Sequence, residues 1–328
     1  MGEQDGKRGR CLCLQPIHPA AVARMEAGGL AVITGPAEDT PPDGIVALVS
    51  RNAPVTAALL DRLGELRVVA KHGAGLDAID LAAASARGIC VVSTPGANAL
   101  SVAEHAVALM LAVAKRIVPA DRAVRAGDFG YKFRTDFTEL AGKRLGIVGL
   151  GASGRHLARI AGLGLGMRIL ASSPSAADSV FAACGAERRD LPALLAEADV
   201  ISLHLPGRPD TDHLIGAAEL ARVKPGAILI NTARGSVIDE AALGAALREG
   251  RLGGAGLDVF ATEPLPAGHP LAGFDNVVLS PHVAGSTAAA LERMGQAVAE
   301  QILDLLGGRR PAHLANPAVW AARQGERA

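Results

Sequence analysis

The stretch from Lys143 to Pro174, KRLGIVGLGASGRHLARIAGLGLGMRILASSP, constrains the fold most. Leu145 to Val148 is a short apolar run, long enough for a buried strand and too short for a helix. Gly149, Gly151 and Gly154 follow at G-x-G-x-x-G spacing. Arg155 to Leu163 has helical character, and Met167 to Ala171 is a second apolar run. In a strand–turn–helix of this kind the first glycine permits the tight bend. The second lets a pyrophosphate approach the backbone, and the third lets helix and strand pack closely. The free N–H groups at the helix N-terminus then face an anion. The spacing alone is common in a chain with 39 glycines and also fits a plain glycine-rich turn. Its position between a strand and a helix is what favours a dinucleotide. The acid that would hold an adenosine ribose belongs about twenty residues on, at the end of the second strand. Ser173 stands there, with Ser172 and Ser175 beside it, so no carboxylate is present to repel a 2′-phosphate.

A length of 328 residues suggests two domains. Hydrophobic residues make up 49% and charged residues 20%, enough for a full core. The 33 basic and 33 acidic residues balance, which argues against nucleic acid or an anionic membrane as the main partner. No apolar run reaches transmembrane length. The first ten residues, MGEQDGKRGR, lack an apolar signal core, so no secretion signal is expected. Cys11 and Cys13 alternate within an apparent strand and would share one face. They read as a metal pair or, more simply, as buried strand thiols. With Cys90 and Cys184 they imply no disulfide framework. A cytoplasmic protein without a metal is the expectation.

Residues 11–100 alternate short apolar runs with helix-like segments. The runs are Cys11–Leu14, Leu30–Thr34, Ile45–Val49, Arg67–Ala70 and Ile89–Val92; the segments include Pro19–Ala27, Thr56–Leu63 and Leu81–Ala86. Such alternation predicts a parallel sheet covered on both faces, with ligands beyond the carboxyl ends of its strands. Lys71-His72-Gly73-Ala74-Gly75 follows the fourth run, as an anion-binding turn or a plain tight one. Ser101 and Glu104 match a capping box and predict the start of a long apolar helix, with Pro119 at its end or kink. Phe129, Tyr131, Phe133 and Phe137 crowd into residues 127–142, although the whole chain has six Phe, one Tyr and one Trp. They line a core or, as we prefer, dock on a second subunit. Further strands are predicted at Asp199–Leu205, Ala227–Thr232, Gly256–Val259 and Val277–Ser280. Helices follow from Asp239 to Gly250 and from Thr287 to Leu306.

Arg234 in INTARG, Glu263 in LDVFATEP and His282 in LSPHVAG each lie just beyond a predicted strand of the second domain. Strand ends of one parallel sheet share an edge. Singly, the arginine reads as solvated, the glutamate as a turn cap and the histidine as a loop plug. Together, beside a dinucleotide turn, the three are more telling than any one of them.

With those residues in view, the chain resembles the D-isomer-specific 2-hydroxyacid dehydrogenase family from about residue 11 to 317. The matching pieces are KHGAGLDAID (71–80), TPGANALSVAEHAVALML (94–111), GKRLGIVGLGASG (142–154), SLHLP (202–206), INTARGSVIDE (230–240), GLDVFATEP (256–264) and SPHVAGST (280–287). The resemblance implies an α/β protein with two Rossmann-like, doubly wound parallel-sheet domains. A flavodoxin-like substrate domain would comprise residues 1–100 and 288–328. An inserted NAD(P)-binding domain would span 101–287. It implies hydride transfer between NAD or NADP and a small 2-keto or 2-hydroxy acid, and a homodimer formed through the cofactor domain and segment 127–142.

Carried over position by position, the resemblance makes Arg234, Glu263 and His282 catalytic. His282 would give a proton to the carbonyl oxygen, since imidazole titrates near neutrality. Glu263 would orient the ring and favour its charged form. Arg234 would hold the substrate carboxylate or carbonyl through its planar fork. The N–H groups around Ala74 and Gly75 would take the carboxylate, with Arg51, Lys71 and His72 nearby. The cofactor site would take in Gly149, Gly151, Ala152, Ser153, Gly154, Ser172, Ser173, His204 and Pro206. Thr232, Ala233, Asp258 and Gly285 would lie toward the nicotinamide, Asp258 on its carboxamide.

Two departures stand out. Ala152 and Ser153 replace the Arg-Ile pair often found inside this family's glycine turn. Ser173 replaces the aspartate of NAD-specific members, so NADP is expected to be accepted, although no arginine follows at once. Hydroxypyruvate or glyoxylate is the preferred substrate because no dense basic cluster is visible. Arg51, Lys71 and Lys132 leave 3-phosphoglycerate dehydrogenase as the alternative. A dinucleotide-sensing co-repressor is the rival of another class. Formate dehydrogenase pairs its histidine with glutamine, and Glu263 argues against it.

Overall fold

The computed structural model describes residues 9–325. Residues 1–8, most of the segment read for a secretion signal, lie outside the described residues. The chain divides into two compact units, Met1–Asn98 with Ser286–Ala328, and Ala99–Gly285.

The first unit holds β1 (Arg10–Cys13), β2 (Ala31–Thr34), β3 (Ile45–Ser50), β4 (Val68–Lys71) and β5 (Cys90–Val92). They form one parallel sheet in the order β2-β1-β3-β4-β5. This is the flavodoxin-like order that the resemblance implies. Cys11 and Cys13 are free and fully buried on β1. The helix Pro19–Ala27 starts where its first residue has no N–H to satisfy, and His18 Nδ1 accepts the Ala20 N–H at 3.3 Å. The helix Ala288–Leu306 is capped by Thr287, whose hydroxyl accepts the Ala290 N–H. These two helices approach closely at Gly295, where a Cβ would lie 2.9 Å from that of Ala21. Trp320, on the helix Pro317–Gly325, packs half-buried against the same core.

The second unit holds β6 (Arg144–Val148), β7 (Arg168–Ser172), β8 (Ala186–Arg188), β9 (Val200–Leu203), β10 (Ala227–Asn231), β11 (Leu252–Leu257) and β12 (Val277–Leu279). All pair in parallel, in the order β12-β11-β10-β9-β6-β7-β8. Counted from β6, this is the Rossmann order, and it reverses direction between β6 and β9. Val200, Ile228 and Ile230 pack on one face; Ile201, Leu203 and Leu229 pack on the other. Both faces are therefore covered, and the strands read as continuous apolar runs rather than alternating ones.

Several boundaries differ from expectation. The long helix runs Ala99–Ala114, so Ser101 lies inside its first turn, buried, and is not the cap. Ser101 and Glu104 are simply neighbours on one helix face at i, i+3 spacing. The helix ends before Pro119. Arg116 turns left-handed at φ 51°, and Pro119 falls in the first turn of the next helix, Ile117–Arg125, where proline is tolerated. The helix after the glycine turn begins at Ala152, three residues early, and its last turn widens to a π-helix over Ile160–Gly164. β11 starts at Leu252, where it pairs with Ala227 at the start of β10, and packs tightly: a Cβ on Gly254 would lie 2.4 Å from the Asn276 carbonyl oxygen. Among the described residues no helix is long and apolar enough to cross a membrane.

Candidate active site

The glycine turn leaves β6 at the point where strand order reverses, beside the end of β9. Gly149 has φ 99°, and a Cβ there would lie 2.4 Å from the His204 carbonyl oxygen. A Cβ on Gly154 would lie 2.1 Å from the Gly149 carbonyl oxygen. Both positions exclude any side chain. Gly151 differs, since its missing side chain faces open space. That is the opening through which an anion can reach the backbone and the helix N-terminus. Ser153, one of the two departures within the turn, meets His204: its hydroxyl lies 3.1 Å from Nδ1, and the Ser202 hydroxyl lies 2.9 Å from Nε2. Sequence reasoning missed this strut between the turn and β9. Ser172 ends β7 and is buried, while Ser173 beyond it is half-buried. Thr232 follows β10 with its hydroxyl buried and without a partner among the described residues.

Arg234, Glu263 and His282 follow β10, β11 and β12, three neighbouring strands. His282 Nδ1 lies 2.8 Å from Glu263 Oε2, both side chains being about a third exposed, at 37% and 36%. The Phe260 N–H donates to the other carboxylate oxygen, Oε1, at 3.1 Å. Arg234 is half-buried, and its guanidinium donates to the Ala233 carbonyl at 2.6 Å. His282 is left-handed at φ 53°, a conformation rare for a residue with a side chain. Asp258 supports it. The His282 N–H donates to the Asp258 carbonyl at 2.8 Å, and Asp258 itself is fully buried. Its carboxylate accepts the Ser280 hydroxyl at 2.6 Å and the N–H groups of Val283 at 2.9 Å and Ala284 at 2.8 Å. His105 Nε2 stands 3.4 Å away. Burial alone would raise the Asp258 carboxyl. The hydrogen bonds from His105, Ser280, Val283 and Ala284 outweigh it and hold the group below the ordinary carboxylate range. The resemblance gives Asp258 to the carboxamide; in the structure its Oδ1 accepts from Ser280 and Val283 and its Oδ2 from Ala284.

In the first unit, Arg51 follows β3, Lys71 ends β4, and Ala74 is exposed in the turn beyond. Gln15, which sequence reasoning missed, gathers that edge: its Oε1 accepts the N–H groups of Arg51, Asn52 and Ala53 at 3.0, 2.8 and 3.1 Å. No motif marks such a contact. His72 is 4% exposed, and neither ring nitrogen has a partner among the described residues. Burial first, then the charge of Arg51, pushes its pKa down to about 4. Burial pushes His204 down to about 4 as well. Both rings are thus neutral in the folded state at pH values where the unfolded chain already binds protons. Their stabilisation is present above about pH 6.5 and lost as pH falls toward 4, by roughly 3 kcal/mol or less each. The drop in melting temperature between pH 7 and pH 4.5 should therefore be smaller in His72→Gln than in the wild type. An equal drop would count against the buried neutral ring.

Residues 107–284 match the model of the D-isomer-specific 2-hydroxyacid dehydrogenase family, NAD-binding domain. The glyoxylate reductase of Aeropyrum pernix is 44% identical over 81% of this chain and 81% of its own. The chain belongs to the D-isomer-specific 2-hydroxyacid dehydrogenase family. It is an NAD-dependent oxidoreductase by that membership. The D-3-phosphoglycerate dehydrogenase of Mycobacterium leprae is also 44% identical over 81% of this chain, which spans only 50% of that protein. Among solved structures, the D-lactate dehydrogenase of Aquifex aeolicus in complex with NAD and lactic acid superposes with a TM-score of 0.82. It is 28% identical, with 93% of this chain and 98% of that one covered.

Proposed function

We propose that this dehydrogenase reduces glyoxylate or hydroxypyruvate to the corresponding 2-hydroxy acid, the D-isomer where the product is chiral, using NADH or NADPH. The observation that carries the reading is the 2.8 Å contact between His282 Nδ1 and Glu263 Oε2, at strand ends next to that of Arg234. Reduction adds a hydride to the carbonyl carbon and a proton to its oxygen. The bound coenzyme supplies the hydride. With Nδ1 occupied by Glu263, His282 Nε2 is the atom left to deliver the proton. Arg234 then holds the carboxylate or the polarised carbonyl through its fork. Arg51, Lys71, His72 and the N–H groups of Ala74 and Gly75 are the proposed substrate contacts of the first unit. Resemblance to glyoxylate reductases supports the small substrate.

The residues present suit a dinucleotide. The open space at Gly151 suits a pyrophosphate, flanked by Gly149, Ala152, Ser153 and Gly154. The orphaned Thr232 hydroxyl suits a polar group of the nicotinamide, with Ala233 and Gly285 alongside. His204, Pro206, Ser172 and Ser173 would border the adenosine. Ser173 leaves room for a 2′-phosphate, so NADPH should be accepted. A panel of glyoxylate, hydroxypyruvate, pyruvate and phosphohydroxypyruvate, each run with both coenzymes, tests substrate and cofactor together. Glyoxylate or hydroxypyruvate should give the highest kcat/KM, with NADPH within about tenfold of NADH, since one well-placed carboxylate discriminates by roughly 1–3 kcal/mol. Best turnover of phosphohydroxypyruvate would replace the substrate reading, and a strong NADH preference would remove the NADPH one.

We also propose a homodimer formed through segment 127–142. Phe129 and Phe133 are 71% and 84% exposed, so they line no core of their own chain. Such aromatics anchor interfaces. Deleting residues 129–137 should convert a dimer into a monomer in analytical ultracentrifugation. A dimer that survives the deletion rules the segment out.

A further inference from the structure

Glu240 and His269 have no part in the roles described so far. Glu240 is the first residue of the helix Glu240–Arg248. It is not needed as a cap, because Asp239 Oδ1 accepts the N–H groups of Ala241 and Ala242 at 3.0 and 3.1 Å. The Glu240 side chain reaches instead to the turn after β11. Its Oε1 accepts the Ala261 N–H at 2.8 Å, and its Oε2 lies 3.4 Å from His269 Nε2. His269 Nδ1 accepts the Leu271 N–H at 3.4 Å, so a neutral ring carries its proton on Nε2, facing Glu240. One residue before Ala261, the Phe260 N–H donates to Glu263 Oε1. Two successive N–H groups of one turn thus bind two carboxylates. Glu263 is the partner of His282, and Glu240 anchors the turn that aims it. The opposite side of the turn is pressed against Gly235, where a Cβ would lie 1.9 Å from the Phe260 carbonyl carbon.

We propose that Glu240, backed by His269, is a positioning residue: by holding the Ala261 N–H it fixes the turn 260–263 and so the aim of the Glu263 carboxylate at His282 Nδ1. The proposal rests on the acid–base reading of Glu263 and His282. Ala261 is exposed, so water can solvate its N–H once Glu240 is gone. Loss of Glu240 should therefore loosen the turn without unfolding the unit.

The test compares the wild type with Glu240→Ala and Glu240→Gln, the second of which keeps an acceptor at Oε1. Glu240→Ala should lower kcat about tenfold or more, because small misplacements of catalytic groups are costly. Its KM for NADH should be unchanged, and the alkaline limb of its pH–rate profile should move to lower pH. Glu240→Gln should restore most of the rate. In the coenzyme-free protein, ¹⁵N shifts of the His282 ring should report a proton held on Nδ1 in the wild type and a mixture of tautomers in Glu240→Ala. Unchanged kcat, pH profile and ring shifts in Glu240→Ala would overturn the proposal. So would equal impairment of Glu240→Gln with a lowered melting temperature in both, which marks a merely structural residue. If Glu240→Ala does not fold, Glu240→Asp, which retracts the acceptor by one methylene, is judged by the same readouts. His282→Ala separates the two ideas. Near-normal turnover there removes the acid–base reading itself, whereas an inactive His282→Ala beside a wild-type-like Glu240→Ala removes only the positioning role.

Discussion

His282→Ala should lose about three orders of magnitude in kcat for 2-keto acid reduction, within the range that a positioned general acid contributes. The dissociation constant for NADH should hardly move, because the imidazole is assigned to the substrate carbonyl rather than to the coenzyme. His282 is held left-handed by its N–H bond to the Asp258 carbonyl, and the neighbouring N–H groups of Val283 and Ala284 close on the Asp258 carboxylate. The ring therefore leaves the loop in one direction, toward Glu263. Alanine would keep the loop, since none of these bonds uses the His282 side chain, and remove only the proton donor. Steady-state assays with NADH fluorescence titrations on the same preparation measure both quantities. Turnover within a few-fold of wild type would end the assignment. Glu263→Gln keeps an acceptor for the Phe260 N–H but loses the charge, so its loss should be smaller, about ten- to a hundredfold.

Gly235→Ala should be nearly as damaging, although Gly235 touches neither substrate nor coenzyme in the proposed scheme. A Cβ at this position would lie 1.9 Å from the Phe260 carbonyl carbon, 2.1 Å from its oxygen and 2.3 Å from the Ala261 nitrogen. All three are backbone atoms, so no side-chain rotation relieves the clash. Phe260 is itself buried in the core of the second unit, which resists displacement. The turn must move as a whole, and Glu263 moves with it. We expect kcat to fall at least a hundredfold, with a stability loss of about 1–3 kcal/mol for the overpacking. Calorimetry together with turnover decides it; a variant that melts and turns over like the wild type would show that the turn is not fixed by this contact.

Most of the fold is legible in the sequence because both sheets are parallel and buried on two faces. Their strands are then short apolar runs between helices, and each run such as Ile45–Val49 or Leu145–Val148 marks itself. Some helices are legible to the residue: Pro19–Ala27 and Leu81–Ala86 have the expected bounds. Where a signal has two physical meanings, the reading shifts. Ser101 and Glu104 match a cap but lie inside a helix, and Pro119 suits a first turn as well as a last one. The strand ends carrying Arg234, Glu263 and His282 are legible because parallel strands share an edge. Contacts made by side chains from distant segments are not. Glu240 on Ala261, Ser153 on His204 and Gln15 on residues 51–53 depend on three-dimensional proximity that no local pattern encodes.

The scarcity of large rings gives the protein a built-in optical label. The chain's one tryptophan, Trp320, belongs to the first unit and sits against that unit's core. Its emission follows the melting of that unit alone, whereas far-ultraviolet dichroism sums over both. Superimposable melts by the two signals would mean that the chain unfolds as one cooperative body, and separated midpoints would resolve two transitions without labelling or truncation.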